Sequence, residues 1–140
     1  PGSEYTTMGW EVYAPGLRRL LNRINDEYPP VPLYITENCA SFDDTVTADC
    51  EVHDERRTAY LRDHLVQLRY AIDDGVDVRG YFAWSLFDNF EWAQGYRMRF
   101  GLIYIDYATM ERIPKDSYAW YQQIALSNGE CLPEKLVPLR

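Results

Sequence analysis

Two apolar runs separated by one long amphipathic segment constrain this chain more than any other feature. The first is Pro32-Leu33-Tyr34-Ile35-Thr36-Glu37-Asn38, which follows Pro29-Pro30. It is short, β-branched and aromatic, so it reads as a strand. The second covers about Val78 to Leu86. A helix opens at Pro15, a favoured first-turn position, with Leu17, Leu20, Leu21, Ile24 and Tyr28 on one face. A longer one is predicted from about Asp54 to Asp74, with the stripe Leu61, Leu65, Leu68, Ile72 and a closing Gly75. A last helix runs from Lys115 to about Asn128, with Trp120, Tyr121, Ile124 and Ala125 inward and Gly129 closing it. The order helix, strand, helix, strand, helix implies parallel strands with right-handed crossovers, buried on both faces.

Two parallel strands do not make a sheet with both faces covered. An eight-stranded (β/α)8 barrel takes about 250 residues, and this chain has 140. The expected fold class is therefore α/β, an incomplete piece of such a barrel whose strands pair with others. Residues 9–128 are expected to form this C-terminal quarter, with 129–140 a tail. The opening Pro1-Gly2-Ser3-Glu4 has no initiator Met and no signal-peptide pattern, so residues 1–8 are expected to be a tag scar or an internal-cut segment outside the fold. Between the second strand and the last helix, Leu102-Ile103-Tyr104-Ile105 suggests a small accessory hairpin.

Composition narrows the partners. Fourteen basic residues against twenty-two acidic ones give a net charge of −8, which argues against nucleic acid or an anionic membrane surface. No apolar stretch approaches the ~20 residues of a membrane span. The three cysteines offer no zinc spacing. Cys39 and Cys50 bracket one loop and could pair, but free thiols in a reducing cytoplasm are the preferred reading. The segment Ser41 to Asp54 carries Asp43, Asp44, Asp49, Glu51 and Asp54. It lacks the spacing, central Gly and closing Glu of a calcium loop and is expected to be a solvated loop. His53 and His64 have no partner at metal spacing and read as polar or packing residues. No cofactor is implied.

The chemistry concentrates at the two strand ends. Glu37 is a carboxylate at the C-terminal end of a strand, where α/β barrels carry catalytic groups. Asn38 beside it could help to fix it. The second strand runs into Trp84 and then Asp88-Asn89-Phe90-Glu91-Trp92, mixing carboxylates with indoles. That mixture suits a sugar. Its C–H faces pack on indole, and a carboxylate accepts from adjacent hydroxyls. Taken singly, each of these residues could as well be a core Trp or a solvated Glu.

Together they carry a resemblance. Tyr34-Ile35-Thr36-Glu37-Asn38 resembles the strand-seven motif of glycoside hydrolase family 1, the β-glucosidase and β-galactosidase family. Gly80-Tyr81-Phe82-Ala83-Trp84-Ser85-Leu86-Phe87-Asp88-Asn89-Phe90-Glu91-Trp92, with Gly95-Tyr96 and Arg99-Phe100-Gly101, resembles its strand-eight motif. Trp10-Glu11-Val12-Tyr13, Pro15-Gly16-Leu17, Arg112, Lys115-Asp116-Ser117 and Trp120-Tyr121 match the flanking segments, so the likeness spans about Gly9 to Ile124. The resemblance implies a (β/α)8 barrel and retaining hydrolysis of β-glycosides. Glu37 would be the nucleophile, Trp84 the platform under the sugar, Glu91 and Trp92 ligands of its hydroxyls, and Phe100 part of the same pocket. Glucose, galactose and fucose all remain as glycones.

Two departures matter. Cys39 stands where the family pattern usually has Gly, so the strand exit is either strained, slightly re-routed, or tolerant of the side chain. The Asn-Glu-Pro motif that bears the family's acid/base Glu is absent from this sequence. The implied partners are a β-glycoside or glucose and a complementary N-terminal portion, joined or separate. The alternatives are a non-catalytic sugar-binding or interaction fragment, and a homo-oligomer completing a barrel through its open strand edges.

Overall fold

The computed structural model describes residues 2–134. Helix α1 (Pro15–Glu27), strand β1 (Leu33–Asn38), helix α2 (Glu55–Asp73), strand β2 (Val78–Ala83), strands β3 (Ile103–Ile105) and β4 (Arg112–Pro114), and helix α3 (Asp116–Leu126) follow one another in that order. β1 and β2 pair in parallel, with Leu33 opposite Val78, Ile35 opposite Tyr81 and Asn38 opposite Ala83. β3 and β4 form the accessory hairpin, antiparallel, with Tyr104 opposite Ile113.

The helices cover one face of the parallel pair. Leu21 of α1, Leu65, Leu68 and Ala71 of α2, Val76, Ile124 of α3 and Leu132 form the core, with Leu33, Ile35, Val78 and Tyr81 packed against it. Arg18 of α1 donates twice to Asp74 just past α2, both at 2.6 Å, and Asn22 adds a third bond at 2.7 Å. These hydrogen bonds hold the Asp74 carboxyl down to about 2. Gly75, at φ +103, turns the chain from α2 into β2 where a side chain would be strained.

The other face of the pair is open, contrary to the expectation of strands buried on both sides. Tyr34 is 55% exposed and Phe82 56%. The apolar runs are real, but among the described residues no further strand pairs with either outer edge of the two. Leu20, Tyr28, Ile72 and Ala125, predicted to face inward, are also exposed. Ala71 takes the buried place beside Leu68 instead.

Both chain ends correct the expected boundaries. Part of the segment expected to lie outside the fold belongs to it: Thr6 is buried, and Thr7 bonds Ser41 through both its N–H, at 3.1 Å, and its hydroxyl, at 2.5 Å. Past residue 128, Leu132 joins the core, and Arg69 donates to the carbonyls of Gly129 and Leu132. The expected tail beyond Glu134 lies outside the described residues. No helix among the described residues is long and apolar enough to cross a membrane.

Candidate active site

A cleft of about 380 Å³ opens at the C-terminal ends of β1 and β2. Its walls contain the five residues to which the resemblance assigns a role at the sugar: Glu37, Trp84, Glu91, Trp92 and Phe100. Parallel pairing does much of this work. Because Asn38 lies opposite Ala83, and the Trp84 N–H donates to the Asn38 carbonyl at 3.1 Å, the ends of the two strands stop side by side. The chain then passes through a cis Trp84–Ser85 peptide bond. Ser85 and Leu86 continue in register with the segment after Phe100: the Ser85 N–H donates to the Phe100 carbonyl, and the Leu102 and Ile103 N–H groups donate back to Ser85 and Leu86.

Glu37 is exposed in the cleft, and among the described residues no side chain bonds its carboxylate. Asn38 does not fix it through its amide. The amide donates to the Tyr60 hydroxyl at 3.3 Å and accepts from the Tyr81 hydroxyl at 2.8 Å, so it ties the strand end to α2 and β2 instead. Burial pushes the Tyr60 phenol up to about 12, keeping it protonated at neutral pH. Glu91 leads into a short 3-10 helix, Trp92–Gln94, closed by the Glu91 N–H on the Gly95 carbonyl at 2.7 Å. Trp92 has φ +41 and is 82% exposed, a bulky side chain held out of the backbone conformation it prefers. Phe100 is only 4% exposed and forms the floor of the cleft beneath Trp10, their ring centroids 6.1 Å apart.

Trp10, Tyr60 and Cys39 also line the cleft. Sequence reading placed Trp10 only in the lead-in to the first strand. Its signal was a Trp inside a recognisable motif, and what brings it to the site is the Thr7–Ser41 tether. Tyr60 gave no signal, being one ring among twelve Tyr on a helix face. Cys39 fits an ordinary backbone conformation at the strand exit. It is absent from the non-glycine residues at positive φ, so this backbone needs no glycine there. Burial raises its thiol, and it is unpaired, as are Cys50 and Cys131.

The largest correction concerns the segment expected to be a solvated loop. Its Asp44 and Asp54 side chains are 2% and 0% exposed. Arg57, fully buried, donates to Asp44 and to Asp54, both at 2.7 Å, and to the Arg99 carbonyl at 2.5 Å. Asp54 also accepts from the Ser117 N–H and hydroxyl at the start of α3. Lys115, also fully buried, bridges Asp44 at 2.5 Å and Asp88 at 3.0 Å. Arg99 completes the set on Asp88 at 2.9 Å. Three carboxylates thus face three cations. Burial pushes Asp44 up and Lys115 down. Burial opposes the charge of Arg57 too, yet Asp44, Cys39 and Asp54 hold it raised. His53, by contrast, lies at the surface between Asp116 at 2.8 Å and Asp49 at 3.2 Å, which raise it to about 9. His64 stacks on Tyr60, and burial lowers it.

Comparison with known proteins bears on both fold and cleft. The model of a family described as glycosyl hydrolase family 1 matches residues 1–130. Beta-glucosidase A of Thermotoga maritima is 51% identical over 124 residues, which is 89% of this chain and 28% of that protein. A bifunctional beta-D-glucosidase/beta-D-fucosidase of Bifidobacterium breve is 50% identical over 123 residues, 85% of this chain and 27% of the relative. The structure of the Thermotoga maritima beta-glucosidase in complex with deoxynojirimycin superposes with a TM-score of 0.90 at 49% identity, over 92% of this chain and 29% of that one. The chain therefore spans little more than a quarter of the relatives it matches, and its fold is that of part of a (β/α)8 barrel.

Proposed function

The chain belongs to glycosyl hydrolase family 1, and from that membership we propose that it supplies the nucleophile and half the sugar-binding wall of a retaining β-glucosidase. β1 and β2 are read as strands seven and eight of the barrel. Glu37 is the nucleophile. Its carboxylate attacks the anomeric carbon, the bond to the leaving oxygen breaks, and a glycosyl ester on Glu37 forms. Water then displaces Glu37 at the same carbon, so two inversions give retention. The leaving oxygen needs a proton in the first step, and the water must lose one in the second. Both fall to a second carboxyl group about 5–5.5 Å from the first, which this reading assigns to a complementary N-terminal portion. Trp84 stacks on the terminal glucose, Glu91 accepts from its outer hydroxyls and Trp92 donates to another. The protein is taken to work in the cytoplasm, which the three unpaired thiols fit.

The observation that carries this reading is the convergence of Glu37, Trp84, Glu91, Trp92 and Phe100 on one cleft from positions spread over more than sixty residues. The test is to supply the missing part, joined or separate, from a related β-glucosidase. The chain alone is expected to be nearly inactive on a β-linked disaccharide, which demands protonation of its leaving group. The completed barrel is expected to hydrolyse it. Glu37→Ala should then lower turnover on the order of 10⁴-fold or more, as loss of a nucleophile does, with glucose still bound. Substantial turnover by the chain alone would remove the need for the second carboxyl. Glucose binding without turnover in the completed barrel would favour the sugar-binding fragment.

A further inference from the structure

The buried charges pose a question that stability does not answer. A buried ion pair recovers little more than the cost of desolvating it, and apolar side chains of equal volume often do as well. Five buried ions with a partly exposed Arg99 at their edge therefore call for another role, and the groups they hold suggest one. Asp88 lies three residues before Glu91 and is fully buried. One of its oxygens accepts from the Gly101 N–H at 2.8 Å and from Lys115 at 3.0 Å. The other accepts from Arg99 at 2.9 Å and from the Ile105 N–H at 3.4 Å. Asp88 thus grips both neighbours of Phe100, Arg99 by its side chain and Gly101 by its backbone. Arg57 holds the Arg99 carbonyl from the other side. At Gly101 a Cβ would meet the Asp88 nitrogen at 2.1 Å and the Phe87 carbonyl carbon at 2.4 Å, so the two backbones are in direct apposition.

We infer that Asp88 is the positioning residue of the sugar-binding wall: it sets Phe100 as the floor of the cleft and fixes the root of the loop that presents Glu91 and Trp92. Lys115 and Arg99 act through it. Asp88 itself does not reach the cleft, whose lining excludes it. The inference rests on the function proposed above only in naming the ligand as a sugar.

The experiment uses the completed barrel and two readouts, glucose binding by titration calorimetry and hydrolysis of an aryl β-glucoside. Asp88→Asn preserves the shape but leaves Arg99 without its carboxylate and Lys115 with Asp44 alone. It is expected to weaken glucose binding and to raise KM about tenfold or more, equivalent to about 1.4 kcal/mol, with a smaller change in kcat. Arg99→Met, at the edge of the cluster, should weaken glucose less, and Arg99→Lys should recover most of that loss. A merely structural role would lower Tm and the active fraction, leaving KM and glucose affinity where they were; that result overturns the inference. If Asp88→Asn does not fold, the Arg99 pair decides on the same readouts. A parent barrel that binds glucose without turnover, and loses affinity with Asp88→Asn, sinks the hydrolase reading and keeps the positioning role. A parent that does neither sinks both.

Discussion

The two ends of the parallel pair's surroundings differ in kind. At the C-terminal ends of β1 and β2, the loops and the start of α3 are closed around a charge network in which every carboxylate meets a cation, although the Arg57 Nε has no partner among the described residues. Along the strands themselves, Tyr34 and Phe82 are more than half exposed. The described residues thus hold the polar scaffolding behind the cleft, while apolar side chains of the sheet stay exposed. Polar positioning is complete around the site end, and hydrophobic burial is incomplete along the sheet within the described residues.

The sharpest way to break this contrast is at Arg57. Arg57→Met leaves Asp44 and Asp54 buried with fewer partners, and loss of one member of a buried ion pair costs about 3–5 kcal/mol. Urea unfolding of the chain should show a loss of that size. A change below about 1 kcal/mol would mean that water reaches the network and that the site end is not self-contained.

The open sheet face is expected to behave oppositely. Phe82→Thr should alter the stability of the chain alone by no more than about 0.5 kcal/mol, as exposed substitutions do, while impairing union with the complementary portion. If it instead costs about 1.5–3 kcal/mol, the range for a buried aromatic, a second copy of the chain already covers this face. The mass of the chain in solution would then show the oligomer.

The smallest effect belongs to the surface histidine. The folded-state pKa of His53 is about 9 against an ordinary 6.5. A raised value stabilises the fold fully below about pH 6.5, and that contribution disappears as pH climbs through about 9. The Tm gap between the chain and His53→Gln should therefore be widest near pH 6 and close by about pH 10. A gap that does not change with pH would show that His53 acts through neutral hydrogen bonds alone.

Much of this was legible in the sequence, and the limits have physical causes. Apolar periodicity is a local property, so α1, α2, α3 and the two strands could be read directly. Glu37 and the Trp84 to Trp92 cluster could be read because their residue types are unusual for strand ends. The burial of Asp44 was hidden because its partners are remote: Arg57 is 13 residues away and Lys115 is 71. Arg57 lies only three residues from Asp54, but that spacing fits an exposed helix-end pair equally well, so the stretch reads as solvated until Lys115 and Arg99 are brought to it. The exposure of Tyr34 and Phe82 was hidden for the converse reason. Their pattern records a buried environment, and the strands that would provide it are not among the described residues.

The parallel pairing of β1 with β2 also has a consequence for the order of events as the chain folds. No turn can join two parallel strands, so every contact between them waits for α2 and its flanking loops to close the gap. The Tyr81 to Asn38 bond spans 43 residues, and the Lys115 to Asp44 bridge spans 71. Such distant partners meet late, after local helix has formed, because loop closure must be met before any of them contributes. Hydrogen exchange pulsed during refolding should thus protect amides in the middle of α2 before that of Trp84, whose partner is the Asn38 carbonyl. On this schedule the cleft is the last part of the chain to take shape, and the strand edges stay available to a partner for most of the journey.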